Sequence, residues 1–200
     1  DSYSKITRNL VLTVLPVIFA TAVYNINSLI DVGVFTRAME FFGKLAQKTP
    51  EKIADEAAGL YGLYSGTYIL LTNLPIAISN SLSSSLIPNI SKHMAARDIR
   101  SVHRKIRTAL KFSMIIAVPS SIGLSILATP IVRLLFRMED ASMVPIAIGL
   151  IKYGSFSVIF FSLSTVSNGI LQGSGRMSKP LKNAVASLII HLATLFAFLY

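Results

Sequence analysis

Three ionisable side chains lie in or beside long apolar stretches of this sequence: Asp31, Lys152 and His191. Charged groups are costly inside a bilayer and are functional candidates there. Asp31 either marks the end of an apolar helix or contacts an ion, a proton or a substrate. Lys152 either extends its amine to the headgroups, binds an anionic substrate or pairs with Asp31. His191 either packs through hydrogen bonds or exchanges protons near neutral pH.

A stripe of uncharged polar residues follows one helical spacing in the first half of the chain. Asn73, Ala77, Asn80 and Ser84 are spaced i, i+4, i+7 and i+11, so they share one face of a helix. Small and polar residues on a membrane helix favour close packing with interhelical hydrogen bonds. The stripe therefore indicates either a packing face or the wall of a polar translocation cavity.

A second stripe repeats this pattern further along the chain. Ser157, Ser164 and Asn168 lie on one predicted helix face, with Gln172 one turn later and a Gly-Ser-Gly turn after it. Packing and helix capping are the alternative to a cavity wall here. We predict that the substrate or ion pathway is lined by residues from both stripes and from the apolar segments, namely Asn25, Asn27, Asp31, Arg37, Asn73, Asn80, Lys152, Asn168, Gln172 and His191.

The net charge of +10 is concentrated between residues 92 and 111, which hold seven Lys and Arg residues. Such a segment attracts anionic headgroups beside a membrane. It either fixes topology and anchors the chain to lipid, or it captures a lipid diphosphate. Nucleic acid is not a predicted partner, because no aromatic platform accompanies the charges. The predicted headgroup contacts at the inner leaflet are Arg104, Lys105, Arg107 and Lys111.

Residues that could perform catalysis are scattered. His93, His103 and His191 are far apart, and neither a nucleophile motif, paired carboxylates nor metal-ligand spacing is visible. The chain contains no Cys, which excludes disulfides and thiolate metal sites. We predict a protein that is not an enzyme, with no catalytic residue and no metal site.

Long apolar segments must position these side chains. Hydrophobic residues make up 52% of the chain and charged residues only 14%, against about 25% in soluble domains. Five stretches of at least 18 residues lack Asp, Glu, Lys and Arg, which is enough for each to cross a bilayer. We predict an all-α, polytopic transmembrane bundle over residues 1–200, with Pro88 ending the second of about five spans: 9–33, 60–89, 110–136, 145–172 and 183–200.

The distribution of basic residues predicts the orientation of these spans. Twelve of the 19 Lys and Arg residues fall before the first span or in the loops after the second and fourth spans. Positively charged loops remain in the cytoplasm, so the N-terminus of the chain is predicted to be cytoplasmic. Tyr61, Tyr64, Tyr153 and Tyr200 then fall near the outer interface, where aromatic belts form.

Several motifs resemble a known superfamily of exporters. They are Leu74-Pro75-Ile76-Ala77 through Leu86-Ile87-Pro88-Asn89-Ile90-Ser91, then Pro119 to Phe136, and Gly169-Ile170-Leu171-Gln172-Gly173 followed by Lys179-Pro180. With the basic loop between them, they resemble the multidrug/oligosaccharidyl-lipid/polysaccharide exporter superfamily. Within it, the chain is similar to the stage V sporulation protein B group, relatives of the MurJ lipid II flippases. The resemblance covers essentially all 200 residues and fits the first five helices of the second six-helix lobe.

This resemblance implies alternating access between two pseudo-symmetric lobes, with an N-terminal lobe outside this sequence. It also implies a bacterial cytoplasmic membrane location, contact with membrane lipids and an undecaprenyl-diphosphate-linked glycolipid or peptidoglycan precursor as substrate. An H⁺ or Na⁺ gradient, or the membrane potential, is the implied energy source, with no other cofactor. MurJ proteins tend to carry an Asp-Arg pair before the Leu-Pro motif, whereas residues 64–73 here contain none. A cavity arginine is therefore not carried over.

Three functions fit the sequence to different degrees. A flippase for lipid-linked oligosaccharides or lipid II is the predicted function. A cation-coupled multidrug antiporter of the same fold is the alternative, but it should show an acidic cluster in its cavity, and only Asp31 is available. A membrane glycosyl or acyl transferase would need a convergent catalytic constellation, which the sequence lacks.

Overall fold

The structure is a computed structural model that describes residues 2–136 and 141–199. Those residues form eight α-helices and one π-helical segment, with no β-strand among them. This confirms the predicted all-α fold. The elements are α1 (Ser2–Leu45), α2 (Pro50–Leu63), the π-helical segment (Tyr64–Ile69), α3 (Leu70–Ala95), α4 (Ile99–Ile126), α5 (Ala128–Leu135), α6 (Met143–Gly154), α7 (Ser157–Gly173) and α8 (Ser178–Leu199).

Three of the described helical segments are long and apolar enough to cross a membrane: Val14–Leu45, Ile99–Ile126 and Ser178–Ala197. A fourth is present if α6 and α7, which are bent by 46° at their junction, form one span. The chain is therefore a transmembrane helical bundle, as predicted. The second predicted span, residues 60–89, is not among these candidates, and six Ser and three Asn residues interrupt its apolar run. The count of five spans and their bounds stay predictions.

The connections are shorter than the sequence indicated. Only residues 46–49 separate α1 from α2, and Thr49 is extended before Pro50, which begins α2. An extended residue before proline and proline in the first helical turn are both favoured backbone choices. The predicted basic loop is also mostly helical, since only residues 96–98 lie between α3 and α4. Arg97 turns the chain there with a φ of 55°.

Proline does not end the second apolar segment. Helix α3 runs through both Pro75 and Pro88 and ends at Ala95, so the prediction that Pro88 terminates it is wrong. A proline removes one backbone donor, and polar side chains can bond to nearby carbonyl groups in membrane helices. The Asn89 side-chain amide donates such a bond to the Ser85 carbonyl, at 2.8 Å.

Helices α3, α4 and α7 form the most closely packed part of the bundle. Ser79 of α3 meets Ser113 of α4 at 3.3 Å, and the Ser83 hydroxyl donates to the Thr165 carbonyl of α7 at 3.0 Å. A Cβ atom on Gly169 would overlap Ser83, and one on Gly173 would lie 2.9 Å from the Ile87 carbonyl oxygen. Small residues thus let these three backbones approach closely, as they do in membrane helix pairs.

A second cluster of buried side chains joins the outer helices to this group. It connects α2 and α3 to α5 and α6 through six buried residues, namely Leu63, Leu71, Ala128, Val132, Ala147 and Ile151. Helix α1 packs mainly along α8 and against α2. The packing of α1 on α8 brings the two halves of the candidate site together.

Candidate functional site

Asp31 and His191 form a side-chain pair between α1 and α8. The Nε2 atom of His191 lies 2.6 Å from Oδ1 of Asp31, although the two residues are 160 positions apart. The Asp31 side chain is 52% exposed and the His191 side chain is 35% exposed, so solvent reaches the pair. Helix α1 continues to Leu45, which shows that Asp31 does not mark a helix end. The sequence selected both residues but did not predict that they meet.

Both partners lie within candidate membrane spans. Asp31 belongs to Val14–Leu45, a segment of 32 residues, and His191 to Ser178–Ala197. At about 1.5 Å per residue, the first span is about 48 Å long and Asp31 lies about 25 Å from its start. A hydrocarbon layer of about 30 Å placed anywhere within this candidate span, when the helix is upright, encloses Asp31, although α1 itself begins earlier, at Ser2. The carboxyl group therefore lies near the middle of a candidate membrane span.

A cavity of about 390 Å³ opens beside this pair, between α1, α2, the π-helical segment and α6. Polar groups in its lining come from Ser28, Asp31, Tyr61 and Tyr64. Its remaining walls are apolar side chains of α1, α2 and α6: Val32, Phe35, Leu60, Ile146 and Leu150. Asp31 therefore shares the lining of this cavity with the rings of Phe35, Tyr61 and Tyr64.

Phe35, Tyr61 and Tyr64 form an aromatic wall of this cavity and belong to a ladder of rings that continues to Tyr68, which we did not predict from the sequence. Ring centroids are separated by 6.5 Å from Phe35 to Tyr61, 6.3 Å from Tyr61 to Tyr64 and 5.3 Å from Tyr64 to Tyr68. The Tyr68 hydroxyl then lies 2.7 Å from that of Ser157 on α7. Tyrosines at 61, 64 and 68 have helical spacing, and this signal would have placed them on one face. The prediction that Tyr61 and Tyr64 belong to an interfacial belt stays a prediction.

The π-helical segment Tyr64–Ile69 lies where this wall turns into α3. A π-helical turn contains one extra residue, so the helix faces before and after it are rotated relative to each other. Such turns are rare and often occur at functional sites. Here the segment separates Tyr61, which lines the cavity, from the polar stripe on α3. No sequence pattern had predicted it.

The polar stripe of α3 points away from the packed interior. Asn73, Ala77, Asn80 and Ser84 are all exposed. The buried residues of α3 lie on the other face, against α4 and α7: Leu71, Thr72, Pro75, Ser79, Ser83, Leu86 and Ile90. Within the described chain, packing among these helices does not explain why the stripe is polar.

Lys152 does not pair with Asp31, so that interpretation is wrong. Its side chain is exposed, and its amine lies 5.7 Å from the centroid of the Tyr153 ring. The reason is the chain path, since α8 brings the His191 ring to the carboxylate. Snorkelling to the headgroups and contact with an anionic substrate stay predictions for Lys152.

The other predicted pathway residues are dispersed over two helices. Asn25 and Arg37 are exposed on α1, and Asn27 is half-buried, with an Oδ1 atom that contacts no hydrogen-bond donor among the described residues. Asn168 and Gln172 are half-buried on α7. The structure brings together Asp31 and His191 and does not gather these others around them.

The basic residues predicted to contact headgroups lie on the first half of α4. Arg104, Arg107 and Lys111 are exposed and Lys105 is half-buried. Asp98 caps the helix by accepting a bond from the Ser101 amide at 3.0 Å. Hydrogen bonds from Ser101 lower the pKa of the Asp98 carboxyl below its usual value, with a smaller contribution from His93.

Metal ligands do not cluster in the part of the chain that the structure describes. Across residues 2–136 and 141–199, no three His, Cys, Asp or Glu side chains are close enough together to hold a metal ion. The site that the geometry presents is a carboxylate–imidazole pair, a mostly apolar cavity with an aromatic wall and an exposed polar helix face. These are features of a binding or transport surface.

Comparison with known proteins gives the family. The sequence profile described as "Lipid II flippase MurJ" matches residues 3–200. The "Lipid II flippase MurJ" of Bacillus subtilis (strain 168) is 25% identical over 190 residues, which cover 94% of this chain and 32% of that protein. The "Uncharacterized membrane protein YabM" of the same organism is 28% identical over 122 residues, 61% of this chain and 22% of its own length.

A third relative is the "Probable lipid II flippase MurJ" of Rickettsia prowazekii (strain Madrid E), which is 27% identical over 119 residues, 57% of this chain and 23% of that protein. No solved structure matches. The chain spans a third or less of the length of these relatives. The profile, however, matches nearly every residue of the chain, which confirms the resemblance seen in its motifs. The chain belongs to the lipid II flippase MurJ family.

Proposed function

We propose that this chain is part of a two-lobe flippase that moves a lipid-linked oligosaccharide or peptidoglycan precursor across the bacterial cytoplasmic membrane. Family membership supports the class of substrate, because the relatives are named for lipid II. The B. subtilis relative is about three times as long as this chain. The remainder of such a longer protein would supply the second lobe. The chain acts as a transporter and has no catalytic role in this proposal.

The single observation that carries this proposal is the exposed polar stripe of α3. Asn73, Asn80 and Ser84 lie on a helix of a membrane bundle, yet they face away from its packed interior. Unsatisfied amides are costly against lipid, so polar faces at membrane depth meet protein or water. A hydrated route between two lobes would give the stripe contact with water. The headgroup of a glycolipid would find hydrogen-bond partners along it.

Alternating access needs parts that stay rigid and parts that bend. Helices α3, α4 and α7 are fixed to one another by small residues and interhelical hydrogen bonds, so they suit the rigid part. Pro16 lies inside α1, which packs mainly on α8 and α2. A proline removes one backbone bond and lets a helix bend. We place the moving part of the lobe at α1 and α8.

The basic half of α4 is assigned to the cytoplasmic surface in this proposal. Arg104, Arg107 and Lys111 are exposed along one helix, where anionic headgroups attract them by about 1 kcal/mol each. Such a surface holds the lobe at the inner leaflet, where a lipid diphosphate also lies. The chain's N-terminus is then cytoplasmic as well.

The test is complementation of a bacterium depleted of its lipid II flippase by the full-length protein. Asn80→Leu removes an amide from the stripe, while Asn89→Leu makes the same change half a turn around α3. Both amides are exposed on one helix. We expect Asn80→Leu to lower plating efficiency about tenfold, as the loss of one or two hydrogen bonds to a headgroup would. Asn89→Leu removes the bond to the Ser85 carbonyl but leaves the stripe intact, so it should plate like the wild type.

The opposite pattern would overturn the proposal. If the wild type expresses in the membrane but does not restore wall synthesis, the substrate is not lipid II. Rescue of capsule or spore-coat synthesis alone would then point to another glycolipid. A change in dye efflux without any such rescue would support the multidrug antiporter instead.

A further inference from the structure

We propose that the Tyr68 side chain is a latch that holds α6 and α7 bent at their junction, and that its release lets the two helices realign. Tyr68 belongs to the π-helical segment and is the last ring of the ladder that begins at Phe35 beside the cavity. The latch is defined by local contacts and does not depend on which lipid the protein moves.

The bend between α6 and α7 contains no proline. Helix α6 ends at Gly154 and α7 begins at Ser157, and the two are bent by 46°. Sharp bends occur at proline, at Gly/Ser pairs, or where a side chain enters the ladder of backbone hydrogen bonds. The Gly154–Ser155 pair permits a bend but does not select one angle. A side chain that enters the break can select it.

The backbone hydrogen bonds change register across this bend. In a continuous α-helix, the Val158 amide would donate to the Gly154 carbonyl. It donates instead to the Ser155 carbonyl at 3.0 Å, and the Ile159 amide donates to the Phe156 carbonyl at 3.2 Å. The Gly154 carbonyl therefore loses its helical donor. Carbonyl groups freed in this way within a membrane bundle take other donors, often side-chain hydroxyls.

Tyr68 supplies a hydroxyl at this position. Its oxygen lies 2.7 Å from the Ser157 hydroxyl oxygen and 3.4 Å from the Gly154 carbonyl oxygen. Its ring also fills the space beside Gly154, because a Cβ atom on that residue would overlap it. One phenol thus contacts the last residue of α6 and the first residue of α7. These contacts fix the angle between the two helices.

Serine hydroxyls hold the end of α6 from another direction. The Ser125 hydroxyl of α4 donates to the Lys152 carbonyl at 2.8 Å, and the buried Ser155 hydroxyl reaches the same carbonyl at 3.3 Å. Neither bond reaches α7, whereas the contacts of Tyr68 touch both helices. Release of Tyr68 therefore frees the angle of the bend and leaves these serine bonds in place.

Stacked rings connect the latch to the cavity beside α1. The Tyr64 ring lines that cavity, and its centroid lies 5.3 Å from that of Tyr68. Both tyrosines belong to the π-helical segment, which has one residue more per turn than an α-helix. Conversion of that turn to an α-helix would rotate Tyr68 relative to Tyr64 and withdraw its hydroxyl from the break. The π-helical segment is thus the element that would open the latch.

The test measures the position of α6 in the full-length protein in nanodiscs. Because α6 has 12 residues and is about 18 Å long, a change of 46° would move its first residue by up to about 14 Å relative to α7. One spin label is placed at Ala141→Cys, in the turn before α6, and the second at Leu74→Cys on α3 or at Ile115→Cys on α4. All three positions are exposed. Pulsed electron paramagnetic resonance then gives the populations of each distance.

We expect Tyr68→Phe to raise the ratio of a second, displaced population to the first about fivefold, as the net loss of one hydrogen bond would. Gly154→Ala forces the ring out of the break and should raise this ratio further. Tyr68→Phe should then add nothing in the Gly154→Ala background, because the contact is already lost.

Two control variants make the same chemical changes away from the break. Tyr64→Phe removes a hydroxyl one turn earlier in the ladder, and Gly149→Ala adds a methyl group on α6 that would meet no atom within 4 Å. Both should keep the wild-type distances. Wild-type distances in Tyr68→Phe and Gly154→Ala would overturn the latch, and so would equal shifts in the two control variants.

Discussion

Asp98 controls the start of α4 through a single side chain. Its carboxylate accepts the Ser101 amide, and hydrogen bonds from Ser101 hold the pKa of Asp98 below the usual value of 3.8. Because the folded value is the lower one, the cap's stabilisation is complete above about pH 4. It is lost as the pH falls through the lowered value.

We therefore predict that protection of the Ser101 amide against hydrogen exchange, corrected for intrinsic rates, falls as the pH drops below 3.8. Asp98→Asn should remove this pH dependence, because an amide oxygen still caps the helix but does not titrate in this range. Asp98→Ala should expose the Ser101 amide at every pH. Equal protection in the wild type and in Asp98→Ala would show that the cap contributes nothing.

Single residues were predicted from the sequence better than their partners were. The rarity of charge in apolar stretches selected Asp31 and His191, and the structure places them together. The same reasoning offered Lys152 as the partner of Asp31. Sequence spacing reports contacts along one helix and does not report which residues of two helices meet across a gap of 160 positions. The pairing follows from the packing of α1 on α8.

Glycine sets how closely α3 and α7 can pack. Gly169 and Gly173 are one turn apart and face Ser83 and the Ile87 carbonyl oxygen, whereas a Cβ on Gly123 would meet no atom within 4 Å. We predict that Gly169→Ala and Gly173→Ala each destabilise the protein by about 1–3 kcal/mol through overpacking. The larger effect is expected at Gly173, because a backbone atom is harder to displace than a hydroxyl.

The matched control for this prediction is Gly123→Ala. Alanine is favoured over glycine by about 1 kcal/mol within a helix, so this change should be neutral or stabilising. The measurement is the SDS fraction at which each variant unfolds in mixed micelles. Coincident midpoints for Gly173→Ala and Gly123→Ala would mean that the close contact between α3 and α7 does not matter.

The type of each element was predictable, whereas its ends were not. Charge-free stretches predict helices because membrane segments must satisfy their own backbone bonds. Residues 34–45 carry both charges and apolar side chains, so the sequence suggested a loop where α1 continues. Pro88 was expected to stop α3, but the helix continues beyond it. The residues of the π-helical segment, Tyr64–Ile69, do not differ in composition from those of an ordinary α-helix, so the sequence did not predict it.

The whole molecule has a predicted sidedness. Ala46 lies in the turn after α1, and Ala96 in the turn after α3. If α2, the π-helical segment and α3 together make one crossing, these two turns lie on opposite sides of the membrane. In intact cells, a membrane-impermeant thiol reagent should label Ala46→Cys and spare Ala96→Cys. Ala96→Cys should react only after permeabilisation.

Introduced thiols give a clear signal within this chain because it has no cysteine. Equal labelling of both positions in intact cells would contradict the orientation that the basic residues predict. It would also contradict the prediction that residues 60–89 cross the membrane. Hydropathy alone does not identify this segment as a span. The fold class could be predicted from composition, but the arrangement of faces around a route required the packing of the helices.

The central claim is that the exposed polar face of α3 borders water at membrane depth. The direct test replaces Asn80 or Ser84 with cysteine in the full-length protein and measures reaction with a water-soluble thiol reagent. Ile115→Cys and Ile126→Cys on α4 serve as controls, since those side chains are 67% and 73% exposed and apolar. We predict fast reaction at Asn80→Cys and Ser84→Cys and slow reaction at both controls. Slow reaction at all four positions would show that the stripe meets no hydrated route and would contradict the account.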